Sequence, residues 1–201
     1  MEIACIVEGH GEEIALPLLL RRIIEEFDPQ LAWTIQIHPP IRRPRTLLST
    51  RDAFTRVFQF AARQVSRPGA VLVLLDADDD CPATLGPSLL EWAHSAHRDM
   101  PVSAVLANVE FEAWFLAAAA SLRGHRGLSE TVEPPTDPEV IQGAKEWLTR
   151  HMPPGRPYSP TDHQASFCSV MSLEEARQAA SFDKLCRDVR RLVQGMQPSE
   201  R

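Results

Sequence analysis

Apolar positions along the chain fall into two kinds of pattern. Residues 2–8, 70–76 and 102–107 are short, nearly unbroken apolar runs of strand length. Runs without polar alternation suit strands buried on both faces of a parallel sheet. Residues 31–38 instead show the alternation and β-branched content of a further strand, ended by Pro39 and Pro40. Between the first two of these segments, Ile14, Leu16, Leu18, Leu19, Leu20, Ile23, Ile24 and Phe27 give a helix with a wide apolar face, running from Glu12 to before Pro29. Pro17 within it predicts a late start or a bend. Ser49 or Thr50 is placed to cap a helix over 51–66. Further helices are expected over 84–98, after Cys81-Pro82, and over 113–120.

Alternation of strand and helix predicts an α/β fold with a mainly parallel, four-stranded central sheet. Past residue 120 the alternation stops. Residues 121–138 carry many turn formers and read as a loop, and 138–151 as a helix holding Lys145 and Trp147. The Pro-rich stretch 152–162 reads as irregular, 173–180 and 182–193 as helices, and the last few residues as a frayed tail. The expected organisation is an α/β core over 1–120 and a helical appendage over 121–201 packed on it, in one compact domain.

Composition narrows the class. A hydrophobic fraction of 44% over 201 residues supports a real core and excludes disorder. No apolar run approaches the roughly 18 residues needed to span a bilayer, and the N-terminus lacks the pattern of a signal peptide. Cys5, Cys81, Cys168 and Cys186 are scattered without a Cys-x-x-Cys pair. That argues against a zinc ribbon or disulfide framework and for reduced thiols in the cytoplasm. A net charge of −6 is wrong for a free-standing, non-specific DNA binder unless bound metal cancels part of it. The exception is the basic loop with Arg42, Arg43 and Arg45, which reads either as solvated surface or as a contact for a phosphate backbone. His94 and His97 are three apart, but no third ligand stands near them, so they read as surface or packing residues.

The chemistry-bearing residues cluster at strand ends. Glu8 follows the first run and Glu12 stands four residues on. The third strand ends in Asp76-Ala77-Asp78-Asp79-Asp80, and the fourth runs into Glu110 and Glu112. Ligand sites in open α/β sheets lie beyond the carboxyl ends of the strands, so Glu8, Asp76 and Asp78 are expected to converge in one crevice. An extended backbone would point Asp76 and Asp78 to the same side. Packed carboxylates raise each other's pKa. A divalent cation relieves that, and an all-oxygen set favours Mg²⁺, Mn²⁺ or Ca²⁺ over zinc. Glu110 is a candidate further ligand or base. Glu112 is a candidate for the same roles, with an acidic residue in a helix's first turn as the preferred reading. A dinucleotide site is excluded because Gly9-His10-Gly11 lacks a third glycine and stands among Glu8, Glu12 and Glu13. No P-loop or nucleophile elbow is present.

Val7-Glu8-Gly9-x-x-Glu12 with Asp76-x-Asp78 resembles the Toprim domain of primases, topoisomerases and, most of all, OLD-family nucleases. A wider pattern resembles a bacterial Toprim-like family of unknown function. It takes in Asp76 to Pro82, Glu110-Phe111-Glu112-Ala113-Trp114-Phe115-Leu116-Ala117, Ala144-Lys145-Glu146-Trp147-Leu148 and Ser181-Phe182-Asp183-Lys184-Leu185. The resemblance implies a three-layer Toprim-like fold and Mg²⁺- or Mn²⁺-dependent phosphoryl chemistry. Tyr158 is the one tyrosine and there is no room for a clamp, so a topoisomerase is excluded, and phosphodiester hydrolysis needs only metals and water. By this resemblance Glu8, Asp76 and Asp78 bind the catalytic metal, Glu12 and Asp80 help with a second ion, and Lys145 or Lys184 assists. Nucleic acid is the implied substrate, a separate ATPase the implied partner, and phage defence the implied setting. The alternative is a non-catalytic, metal-binding subunit that docks on such an ATPase.

Overall fold

In the computed structural model, which describes residues 1–197, the apolar runs are strands of one parallel sheet. Its strands are β1 (Glu2–Val7), β2 (Gln36–Ile37), β3 (Ile41–Arg42), β4 (Gly69–Asp76) and β5 (Val102–Ala107), in the order β2-β1-β4-β5, with β3 also on β1. The short strands β2 and β3 share one edge, because Gln36 pairs with Glu2 at the start of β1 and Arg42 with Val7 at its end.

The lack of polar alternation has a direct cause. In β4, Ala70, Leu72 and Leu74 enter one apolar core, while Val71, Val73 and Leu75 enter another. The first core lies under α1 (Glu12–Phe27), α7 (Pro160–Val170) and α9 (Ala180–Met196), and the second under α3 (Arg51–Ala62) and α4 (Pro82–Ala96). The fold is therefore a three-layer α/β sandwich. Short helices α2 (Pro29–Thr34), α5 (Ala113–Ala117), α6 (Ala144–Arg150) and α8 (Leu173–Ala176) complete it.

Several elements differ from the sequence expectation, each for a local reason. Residues 31–38 are not one strand. Asp28 accepts hydrogen bonds from the backbone N–H of Gln30 and Leu31 at 3.1 Å each, and Pro29 occupies the first helical position, so the segment opens as α2. Only Gln36–Ile37 remains as strand. Helix α1 starts at Glu12 and runs through Pro17, neither delayed nor broken. Helix α3 ends at Ala62 rather than 66, and α5 passes into turns after Ala117. The helix expected over 138–151 is divided: the turn Pro138–Val140 ends at Ile141, whose backbone is extended, and Gly143, left-handed at φ 72°, stands at the N-cap of α6. Helix α7 begins inside the stretch read as irregular, with Pro160 in its first turn. The expected frayed tail lies outside the described residues beyond Gln197. Among the described residues no helix is long and apolar enough to cross a membrane.

Candidate functional site

Neighbouring parallel strands bring the acidic strand ends together. Ile6 pairs with Val73, so Glu8, one residue past β1, stands beside Asp76, the last residue of β4. Both line a cleft of about 340 Å³ together with Glu12, Asp78, Lys145 and Gln164. Asp78 reaches it by a different route from the one its spacing suggests. Its backbone is left-handed, at φ 49°, and its N–H donates to the Val109 carbonyl at 3.0 Å. Asp76 and Asp78 share the cleft because of a turn, not because of strand alternation.

Glu12 stands in the first turn of α1, where its Oε2 accepts from the backbone N–H of Glu8 and of Gly9, at 3.3 Å each. Burial pushes its carboxyl up to about 7, against these two hydrogen bonds and with help from the charges of Glu112 and Glu8. Asp76 Oδ1 accepts from the N–H of Phe111 at 2.7 Å. Burial first, then the charges of Glu12 and Glu112, hold Asp76 well above the usual aspartate range. Burial also raises Glu8, with Arg45 opposing and Asp78 adding to the rise.

Glu112, for which the sequence favoured a place in a helix's first turn over a ligand or base, is the most deeply buried carboxylate here. Glu112 is fully buried at the N-cap of α5. Its Oε1 accepts from Tyr158 Oη at 3.0 Å and Gln164 Nε2 at 2.9 Å. Its Oε2 lies 3.0 Å from Lys145 Nζ, an ion-pair distance, but outside hydrogen-bond geometry. Burial alone would pull the Lys145 ammonium down, yet Glu112 and Asp76 outweigh it and hold the pKa above the usual lysine value. Glu110 is 3.4 Å from the same ammonium and accepts from the Lys145 backbone N–H at 3.3 Å, so it braces Lys145 rather than lining the cleft. Glu112 follows a strand end just as Glu8 and Asp76 do, and that position is what marked it as a candidate in the sequence. Gln164 and Tyr158 carry no such signal. Gly11 has to be glycine, since a Cβ there would fall 2.0 Å from Gln164 Oε1 and 2.8 Å from the Pro160 carbonyl.

The family described as a domain of unknown function (DUF4276) matches residues 7–190, nearly the whole chain. The chain belongs to the DUF4276 family. No curated protein and no solved structure matches it. The matched span takes in every carboxylate of the cleft, together with Lys145, Tyr158 and Gln164.

The remaining predicted residues of this DUF4276 chain are placed less uniformly. Arg45 is drawn into the acidic site: Nη1 donates to the Asp76 carbonyl at 2.8 Å and lies 3.6 Å from Glu8 Oε2, while Nη2 pairs with Asp80. Asp80 is therefore at the rim and exposed, and it does not line the cleft. Arg42 stands 3.3 Å from Glu13, and Arg43 lies over the Phe60 ring at 5.9 Å, so the three arginines face three different partners. Lys184 is not brought to the cleft. It projects from α9 along the free edge of β5, donating to the Ala104 carbonyl at 2.9 Å and pairing with Asp188. His94 is exposed.

Among the described residues, as the side chains stand, no three of His, Cys, Asp or Glu are gathered closely enough to hold a metal ion. Glu12 and Asp76 each turn an oxygen to backbone N–H groups, and Arg45 occupies Asp80 and faces Glu8. The donors themselves are of the right kind for a hard cation, being all oxygen. Three buried side-chain oxygens among the described residues also lack a hydrogen-bond partner: Glu8 Oε2, Glu112 Oε2 and Gln164 Oε1. Glu8 and Gln164 line the cleft, whereas Glu112 does not and turns its Oε2 to the Lys145 ammonium.

Proposed function

We propose that this chain hydrolyses phosphodiester bonds with a divalent cation, as a nuclease of the Toprim and OLD type. The observation that carries the reading is one acidic cleft lined by Glu8, Glu12, Asp76 and Asp78, in which the buried Glu8 Oε2 has no hydrogen-bond donor. A buried acceptor left without a donor is costly. Here it accompanies carboxyls whose pKa values are raised by burial and by one another. A hard cation answers both costs at once. Glu8, Asp76 and Asp78 are the residues that would hold it, with Glu12, which also lines the cleft, beside them. A bound Mg²⁺ or Mn²⁺ supplies positive charge for a phosphoryl oxygen and lowers the pKa of an attacking water.

The protein's own groups have separable tasks in this reading. Lys145 stays protonated because Glu112 and Asp76 stabilise its charge, so it offers a fixed positive charge at the cleft and not a base. Tyr158 and Gln164 fix Glu112, and Glu112 in turn fixes Lys145. Glu12 spends one oxygen on the turn at Glu8 and Gly9, which holds Glu8 toward the cleft. Nucleic acid is the substrate, and a separate ATPase is the partner that confers full rate, in the setting of phage defence that the resemblance implies.

The test is cleavage by the purified chain of single- and double-stranded DNA and RNA in Mg²⁺ or Mn²⁺. Asp78→Asn is the informative variant, because asparagine tolerates the left-handed backbone at this position and removes one charge from an exposed turn. Cleavage by wild type that is lost in Asp78→Asn, at unchanged melting temperature or higher, is the expected result. Stabilisation of wild type by Mn²⁺ with no cleavage of any substrate, alone or with its ATPase partner, would overturn it and leave a non-catalytic metal-binding subunit.

A further inference from the structure

We propose that Arg45 is the resident cation of the acidic site, a positioning residue that holds Glu8 and Asp80 until a divalent ion displaces it. The inference rests on the cation-binding reading above.

Arg45 begins the short helical turn Arg45–Leu47, directly after Pro44. From there its guanidinium reaches acceptors on two other segments: Glu8 after β1, and the Asp76 carbonyl and Asp80 carboxylate at the end of β4. The side chain is only 20% exposed, so it is withdrawn from solvent rather than free to meet a nucleic acid. The other cation at the cleft, Lys145, is committed to Glu110 and Glu112. Compensation is thus divided, with Lys145 serving the inner carboxylates and Arg45 the outer ones.

The grip on the outer pair is uneven. Arg45 meets Asp80 and the Asp76 carbonyl in hydrogen-bonding contact, but at 3.6 Å it is too far from Glu8 Oε2 for a hydrogen bond, and that oxygen has no other partner. A flat guanidinium satisfies carboxylates by its fork and cannot draw oxygens from several directions onto one point. A divalent ion does so, at roughly 2.1–2.4 Å depending on the ion. An ion on Glu8 and a guanidinium a few ångströms away would repel each other. Ion binding and the approach of Arg45 to Glu8 therefore oppose one another, and each weakens the other by the same factor.

The experiment is Mn²⁺ titration of the full chain by calorimetry, comparing wild type with Arg45→Ala and with Arg45→Gln, which retains length without charge. Removing one positive charge a few ångströms from the ion should tighten Mn²⁺ binding on the order of ten-fold or more, and Arg45→Lys should stay near wild type. Mn²⁺ affinity that is unchanged or weaker in both neutral variants overturns the role of Arg45 while leaving the cation site in place. No Mn²⁺ binding by any of the proteins overturns both. If the variants fail to fold, the Nε resonance of Arg45 in the wild type serves: it should move on saturation with Mg²⁺, and a resonance unchanged at saturation overturns the proposal.

Discussion

Glu12 shows how a single carboxyl can report on the whole site. Its folded-state pKa lies near 7 against an ordinary 4.5, with burial as the leading cause. The folded protein therefore binds this proton more tightly than the unfolded chain does, and protonation favours folding. The contribution is full below about 4.5 and is lost as pH rises through about 7. Asp76, also raised, acts in the same direction. Glu2 and Glu26 are lowered by their partners, so their opposing contributions fall below that window. In chelator, urea unfolding should show stability falling between pH 5 and pH 8, with Glu12 contributing on the order of 3 kcal/mol. Glu12→Gln keeps a carbonyl oxygen for the N–H groups of Glu8 and Gly9 but has no proton to lose, so its pH dependence should be flatter. A wild-type profile that is level from pH 5 to pH 8 would mean that Glu12 is not held in this way.

At the scale of elements, the site is a meeting of strand ends with helices from the far end of the chain. Helix α6 brings Lys145, α7 brings Gln164, and the segment between them brings Tyr158, all to Glu112. Tyr158→Phe deletes one donor to a fully buried carboxylate and should cost about 1–3 kcal/mol in urea unfolding. A loss under a few tenths of a kcal/mol would show that Gln164 and Lys145 suffice. The strand half of this arrangement was legible in the sequence. Unbroken apolar runs before Glu8 and Asp76 gave β1, β4 and their shared edge, because burial on both faces of a parallel sheet leaves that mark. The helical half was not. Helix α7 buries a glutamine beside Phe167 and Cys168, which blurs its apolar stripe, and its Pro160 reads as a breaker although it stands in the first turn. Lys145 and Lys184 look alike in sequence, and only the packing of α9 along β5 removes Lys184 from the cleft. The basic run 42–45 suggested one patch, yet the short strand β3 and the turn at Arg45 send its arginines to different partners.

For the molecule as a whole, the two faces of the sheet differ in how far they depend on the appendage. The core under α3 and α4 is built entirely from residues up to Leu106. The core under α1 is shared: Trp114 meets Phe182 at 5.2 Å between ring centres, and Phe115 meets Phe167 at 5.3 Å. A polar tie reinforces it, with Trp114 Nε1 donating to Ser181 Oγ at 2.8 Å, while Glu139 braces that serine from within the appendage by accepting from the N–H groups of Ala180 and Ser181 at 2.9 and 3.0 Å. A fragment of residues 1–120 would expose Phe111, Trp114, Phe115 and the buried side of α1, each large side chain forfeiting roughly 1.5–3 kcal/mol of burial. Native stabilities are only about 5–15 kcal/mol, so losing several such contacts removes most of the margin. The fragment should bind a hydrophobic dye and unfold without a cooperative urea transition, whereas residues 1–197 should unfold in one step. A cooperative transition in the fragment would establish the first 120 residues as a domain in their own right, and the site would then be assembled by docking of the appendage, with Lys145, Tyr158 and Gln164 arriving last.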